Sequence, residues 1–326
     1  MIPVFIASLL VPVLQPATLP PNHPQVPWAY VPQRVYDTRQ KAFGDFETML
    51  ADLARADVIF LGEQHDDPNT HRLELAVLEG LTRRRVPLVL ALEMFERDVQ
   101  PLVDQYLAGK ITEEQFLASS RPWPRYSSDY RPLIEFAKSH QVPVIASNVP
   151  RRIASDVSKS GLSILNGLGA DRALAARDVH CPTSGAYYDR FLEAMSDGGH
   201  PPTAGDPAAA DTHAKSDRFY FAQCLKDETM AESIADGWQK NYGRHATVVD
   251  VNGSFHSDYV QGVAAATMNR MGGRRVAVVS LVPVDDIDAA TPDADDMKLG
   301  DYVVYTVKPI TGADPASPPR RTSSPR

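Results

Sequence analysis

The residues with the strongest chemical character come in one burst. Glu63, His65, Asp66, Asp67 and His71 fall within nine positions, directly after the apolar run Val58-Ile-Phe-Leu. Carboxylates and imidazoles at such spacing are donors for a divalent transition metal. A metal held there would lower the pKa of a bound water and make a hydrolytic nucleophile. Without a metal, a glutamate can act as general base with a histidine as its partner. Glu63 and His65 are two apart, so in an extended segment they point to the same side. Three more polar groups follow apolar runs: Glu93, Asn148 and His256. Glu63, His65, Glu93 and His256 are therefore the candidate catalytic residues and equally the candidate metal ligands. Each has a structural alternative. Glu63 could bond the start of the next helix, Glu93 could pair with an arginine, and His256 could cap a helix. His71 falls in the first helical turn and points either to the site or to solvent.

The elements around these residues explain why they would meet. Ala56–Gly62, Val86–Leu92, Val142–Ser147, His245–Val251, Arg275–Val282 and Asp301–Val307 read as six buried strands. Helices alternate with them: Phe46 onward, then a helix capped by Asp67-Pro68, with Leu73, Val77 and Leu81 on one face. Further helices are expected near Val99–Leu107, after Thr112, over Arg131–His140 and over Asp258–Met271, the last stopping at Gly272-Gly273. Alternation of this kind predicts an α/β fold with a mostly parallel, doubly wound sheet flanked by helices. Such sheets place sites at the carboxyl ends of their strands, where Glu63, Glu93, Asn148 and His256 all lie. The expected core spans 35–149 and 243–310. Residues 150–242 contain no convincing strand and read as a small, all-helical inserted subdomain, with a Gly-, Pro- and Ala-rich mobile insertion at 196–217. The tail, 311–326, is polar and proline-rich, the composition of a disordered segment.

Composition bounds the partners. The 326 residues are 43% apolar and 23% charged, enough for a sizeable core. A net charge of −8 without a basic stripe argues against nucleic acid. Residues 1–17 begin with an almost wholly apolar run, too short to span a membrane and consistent with a signal peptide, although its start lacks Lys and Arg. No cysteine follows that run, so a lipoprotein anchor, and with it membrane association, is unsupported. Cys181 and Cys224 are compatible with one bridge in an exported protein or with two buried thiols. No glycine-rich phosphate loop precedes a helix.

A second chemistry is available in the loop Arg121-Pro-Trp-Pro-Arg-Tyr-Ser-Ser-Asp-Tyr130. Trp123, Tyr126 and Tyr130 with Arg125 could line an apolar pocket for a flat molecule. Tyrosine can serve as an axial haem ligand, and arginine suits a propionate. Tyr187 and Tyr188 could do the same, although such residues alone are more often core aromatics.

Six stretches in order carry a family resemblance: Leu61-Gly-Glu-Gln-His-Asp-Asp67, Ala91-Leu-Glu-Met-Phe-Glu-Arg97, Tyr126-Ser-Ser-Asp-Tyr-Arg-Pro-Leu133, Asn148-Val-Pro-Arg151, Gln223-Cys-Leu-Lys-Asp-Glu-Thr-Met-Ala231 and Asn252-Gly-Ser-Phe-His256. Together they resemble the ChaN-like haem-binding proteins, over roughly residues 35–285. That family shares a superfamily with the Tiki proteases, TraB proteins and erythromycin esterases. The resemblance implies a parallel α/β core with a small helical domain. It also implies periplasmic or surface haem binding for iron uptake, with haem held between the subunits of a homodimer by a tyrosine. Tyr126, Tyr130, Tyr187 and Tyr188 are the candidates for that ligand. The superfamily's enzymes use an early Gly-Glu-x-His type motif, a later glutamate and a late Gly-x-x-His. Glu63, His65, Glu93 and His256 fill those places here. Two functions are thus expected: haem binding, or hydrolysis of an ester or peptide at the strand-end site.

Overall fold

The structure is a computed structural model and describes residues 31–196 and 207–309. The expected signal segment and tail lie outside the described residues, as does the middle of the expected insertion.

The chain builds one eight-stranded sheet. Its strands are β1 (Gln33–Asp37), β2 (Ala42–Gly44), β3 (Val58–Glu63), β4 (Leu88–Glu96), β5 (Val144–Asn148), β6 (Thr247–Gly253), β7 (Val276–Val284) and β8 (Tyr302–Val307). Their order across the sheet is β2-β1-β8-β7-β3-β6-β4-β5. The six strands from β8 to β5 are parallel, and β1 and β2 add an antiparallel edge. The expected mostly parallel α/β fold is therefore what the chain forms. The two edge strands were not foreseen. They are short, and all three residues of β2 are exposed, so no apolar run marks them.

Both faces of the sheet are covered, which is why the inner strands read as continuous apolar runs. Ile59 and Leu61 of β3 pack on one side with residues of α1 (Phe46–Leu53), α2 (Pro68–Arg83) and α5 (Arg131–His140). Val58 and Phe60 pack on the other with Met230, Ala231, Ile234 and Trp238 of α8 (Pro207–Asn241) and with Val263 and Ala264 of α9 (Gly262–Met271). The remaining helices are α3 (Gln100–Leu107), α4 (Glu113–Ser120), α6 (Arg151–Ser160) and α7 (Ala186–Ser196).

One feature of the middle block differs from expectation. Residues 207–217, expected in a mobile insertion, are the first turns of α8. The second half of α8 covers the sheet, and residues nearer its middle pack with α6 and α7 in clusters of their own. Ala and Pro content misled there because Pro207 opens a helix, where its missing N–H costs nothing. Cys181 and Cys224 form a disulfide that ties the loop before α7 to α8, with Cα atoms 5.8 Å apart. Among the described residues, no helix is long and apolar enough to cross a membrane.

Three local features position the site. Asp67 caps α2 by accepting from Asn69 N at 2.7 Å, with Pro68 in the first turn. Such a cap is worth about 1 kcal/mol, and it starts the helix so that His71 and Glu74 share its inner face. Strand β4 runs four residues further than expected, and its pairing with β5 shifts register between Leu92 and Glu96. Glu93 lies in that irregularity, the kind of place where a bulge re-aims a side chain. The helix expected from Asp258 begins only at Gly262, because Tyr259, Val260 and Gly262 adopt positive φ values of 63°, 56° and 52°. Gly262 is required there: a Cβ would lie 2.4 Å from the carbonyl oxygen of His256.

Candidate functional site

Strands β3 and β6 are neighbours, yet the chain leaves β3 towards β4 and leaves β6 towards β7. Their carboxyl ends therefore flank a topological switch point, where open α/β sheets bind ligands. Glu63 ends β3, Gly253 ends β6, and Glu93 and Asn148 lie on the next two strands. A cavity of about 430 Å³ opens at this edge. Glu63, His65, Glu93 and His256 form its floor, and Trp123, Phe191, Met195 and Phe255 contribute to its walls. Gln223 and Lys226 of α8 reach it from one side.

The four floor residues form two carboxylate–imidazole pairs. Glu63 is buried and contacts His65 Nδ1 through Oε1, which also accepts from the Tyr130 hydroxyl at 3.1 Å. His65 is half exposed and stacks edge-on against Trp123, 5.0 Å between ring centroids. With Nδ1 held, its Nε2 is turned towards Gly253, where an added Cβ would lie only 2.6 Å away. Glu93 is buried. Its Oε1 lies 3.2 Å from His256 Nε2, and its Oε2 accepts from Gly253 N at 2.8 Å. The other face of His256 is held by Asp227, whose Oδ1 lies 2.5 Å from Nδ1 and whose Oδ2 accepts from Tyr187 at 2.5 Å. Asn148 donates to the Glu93 carbonyl at 3.1 Å and so supports the bulge.

Electrostatics follow from burial and pairing. Burial alone would raise the Glu63 carboxyl, but His65 and His71 outweigh it and bring it to about 2. Burial would likewise raise Glu93, and His256 and His65 pull it down to about 2. Burial opposes charge on His256, yet Glu93 and Asp227 together raise it to about 10. His65 moves upward for the same reason, burial being outweighed by Glu63 and Glu93. Asp250, fully buried in β6, is pushed well above its usual range by burial and then by Glu93. Neither of its carboxyl oxygens has a hydrogen-bond partner.

The aromatic candidates separate. Tyr126 is buried in the main core, and its hydroxyl makes no hydrogen bond. Tyr130 is buried with its hydroxyl on Glu63. Tyr187 is committed to Asp227. Tyr188 is only partly buried and donates to Asp217. Arg125 binds Asp129 at 2.8 Å and the His65 carbonyl at 2.9 Å, so it braces the motif backbone. Trp123 alone of this loop lines the cavity.

His71 points inward: its Nδ1 lies 2.9 Å from Glu63 Oε2 and 3.3 Å from Glu74 Oε2. Sequence reasoning missed four residues. Glu74 is three positions from His71 on an inward helix face, a spacing that could have revealed it. Asp129 stands four positions after Arg125. Asp227 and Gln223 lie inside a quoted family stretch, but on a long helix with no strand end to mark them. Among the described residues, Glu63, His71 and Glu74 are a group whose ligand atoms all come within 4.8 Å of one another. The four expected ligands form two pairs.

Comparison with known proteins agrees with this architecture. Protein RETICULATA-RELATED 5, chloroplastic, of Arabidopsis thaliana is 25% identical over 276 residues, covering 78% of this chain and 35% of that protein. The chain thus spans about a third of the length of that curated relative. A structure of ChaN of Campylobacter jejuni, described as binding haem cofacially, is similar over 84% of this chain and 96% of its own. Its TM-score is 0.60 at 17% identity, a likeness of fold. The family model for haem-binding uptake proteins, ChaN, of the Tiki superfamily matches residues 49–266. The chain belongs to the ChaN family of haem-binding uptake proteins within the Tiki superfamily.

Proposed function

We propose that this protein binds haem in the cavity at the strand ends and serves in haem acquisition as an exported protein. The observation that carries this reading is the state of His65. Its Nδ1 is held by a buried carboxylate while its ring faces an open cavity. A carboxylate-backed imidazole is the usual arrangement of a metal-ligating histidine. His65 would be the residue to hold haem iron, which an imidazole can ligate. The residues present fit the group: Trp123, Phe191, Met195 and Phe255 give apolar surface for a porphyrin, and Lys226 gives a cation for a propionate. None of the four tyrosines is among the residues that line the cavity, which leaves His65 as the candidate ligand there. The Cys181–Cys224 disulfide supports export, since such bonds persist in oxidising compartments. A second copy of the chain covering the cavity's open side belongs to the same reading, and sedimentation with and without hemin tests it. The central experiment is a hemin titration followed by visible absorption. A Soret shift at micromolar hemin, weakened at least about tenfold by His65→Ala, is expected. Absence of a Soret shift refutes the proposal.

A second reading, hydrolysis of an ester or peptide, is favoured by the Asp227–His256–Glu93 arrangement. His65, backed by Glu63, is placed to take a proton from water through Nε2. His256, kept protonated between two carboxylates, would stabilise developing negative charge as a fixed cation, and His65 would return the proton to the leaving group. The pairing favours acid–base use of these four residues over one coordination sphere built from all of them. An esterase and peptidase screen with Glu63→Gln and His256→Ala tests this. Activity unchanged in both variants excludes the site.

A further inference from the structure

We propose that Glu63, His71 and Glu74 form a buried binding site for one divalent first-row transition ion beneath the cavity floor, with Glu63 shared between the ion site and the cavity. All three side chains are at most 3% exposed. The nitrogen His71 Nδ1 lies 2.9 Å from Glu63 Oε2 and 3.3 Å from Glu74 Oε2. Ligand atoms around a tetrahedral ion with bonds of about 2.1 Å stand about 3.4 Å apart, so only small shifts are needed. One imidazole and two carboxylates suit zinc, cobalt or manganese.

Three further observations point to an ion. First, Glu63 Oε2 and Glu74 Oε1 are buried oxygens without a hydrogen-bond partner. Buried polar atoms are nearly always satisfied, and an ion is one of the few explanations for two orphans in one cluster. The Glu63 oxygen lies near His71 but makes no aligned hydrogen bond with it. Second, the supporting contacts are those of a ligand set. His71 Nε2, on the far side of the ring, lies 3.5 Å from Asp129 Oδ2 and 3.3 Å from the His65 carbonyl. Nδ1 faces the Glu63 and Glu74 carboxylates, the side an ion would occupy, while Asp129 orients the ring through Nε2, the common pattern around metal-bound histidine. Asp129 is in turn held by Arg125. The Tyr130 hydroxyl fixes Glu63 through Oε1, the oxygen not turned towards His71. Third, an ion keeps the charges closed: in exchange for the protons that burial and pairing hold on His71 and Glu74, a divalent cation with two carboxylates and a neutral imidazole sums to zero, and an uncompensated buried charge is costly. The ion would clamp the first turns of α2 to the end of β3. It would also hold Glu63, and through it His65.

The test uses the full chain, stripped with chelator and titrated with CoCl₂ and then ZnCl₂. Expected are visible cobalt d–d bands that saturate near one equivalent and are displaced by zinc. Glu74→Gln and His71→Gln should each weaken binding by about tenfold or more, and Glu79→Gln, on the exposed side of α2, should leave it unchanged. Asp129→Asn, which removes no ligand, should weaken it about tenfold and serves if a ligand variant does not fold by circular dichroism. No cobalt bands, or binding kept in both Glu74→Gln and Asp129→Asn, overturns the assignment. The readout needs no hemin, so its failure is distinct from failure of the haem proposal.

Discussion

Replacing Glu93 with glutamine tests the electrostatic account of the site most directly. Glu93 is 2% exposed, 3.2 Å from His256 Nε2, and its other oxygen accepts from Gly253 N. Glutamine keeps the volume and can still accept from Gly253. What it removes is the charge opposite a buried imidazolium. Breaking one side of a buried pair costs about 3–5 kcal/mol. Two features favour the lower end: Asp227 still holds His256, and Asp250 is relieved of a repelling neighbour. A loss of about 3 kcal/mol is expected. The pH dependence is the sharper part. His256 has a folded pKa of about 10 against a reference of 6.5, so its stabilisation is complete below 6.5 and is lost as pH rises to 10. Glu93 has a folded pKa of about 2 against 4.5, so its share is complete above 4.5 and is lost as pH falls towards 2. The pair is therefore worth most between 4.5 and 6.5. Guanidinium denaturation of both proteins near pH ~5.5 and pH ~9 should show the difference shrinking by at least about 1 kcal/mol at the higher pH. A difference below about 1 kcal/mol near pH ~5.5, or one independent of pH, refutes the reasoning.

Three further outcomes are expected. Reducing the Cys181–Cys224 bond, or replacing both residues by serine, releases a span of 43 residues and should cost about 4 kcal/mol on the chain-entropy estimate. Unchanged denaturation midpoints with and without reductant would contradict it. Gly253→Ala should cost under about 1 kcal/mol of stability, since Gly253 has an ordinary φ of −55°. Yet its Cβ must push His65 aside, so hemin affinity should fall well beyond what the stability change explains, as titration would show. Asp250→Asn should gain on the wild type as pH rises. The raised carboxyl favours the fold below its reference pKa of 3.8 and loses that contribution above it. A stability difference constant between pH ~4 and ~7 would sink that argument.

Much of the fold was legible in the residues themselves. Val58–Leu61 is apolar throughout, and Val248, Val249 and Val251 continue the pattern around Asp250, because strands covered on both faces must be largely apolar, and Asp67-Pro68 announces a helix start by chemistry that acts within a few residues. The same locality made Glu63, Glu93 and His256 visible, since a carboxylate or imidazole after an apolar run needs a reason. Periodicity could not show that Pro207 opens a helix long enough to cover the sheet, or that β1 and β2 close its edge. Those outcomes depend on partners distant in the chain.

Tertiary structure alone decided how the polar residues divide. Sequence order places Glu63, His65, Glu93 and His256 in one set, because all follow strands of one sheet. Packing sorts them into two pairs and brings in Asp227 from α8, Asp129 from the loop before α5, and His71 with Glu74 from α2. It also turns Tyr126 and Tyr130 into the core, where the apolar ring outweighs the hydroxyl. The chain by itself determined that acids and imidazoles would gather at one edge. Which of them touch was settled by crossover geometry and burial, which depend on contacts between residues far apart in the chain, such as Gln64 and Ser254, 190 positions apart.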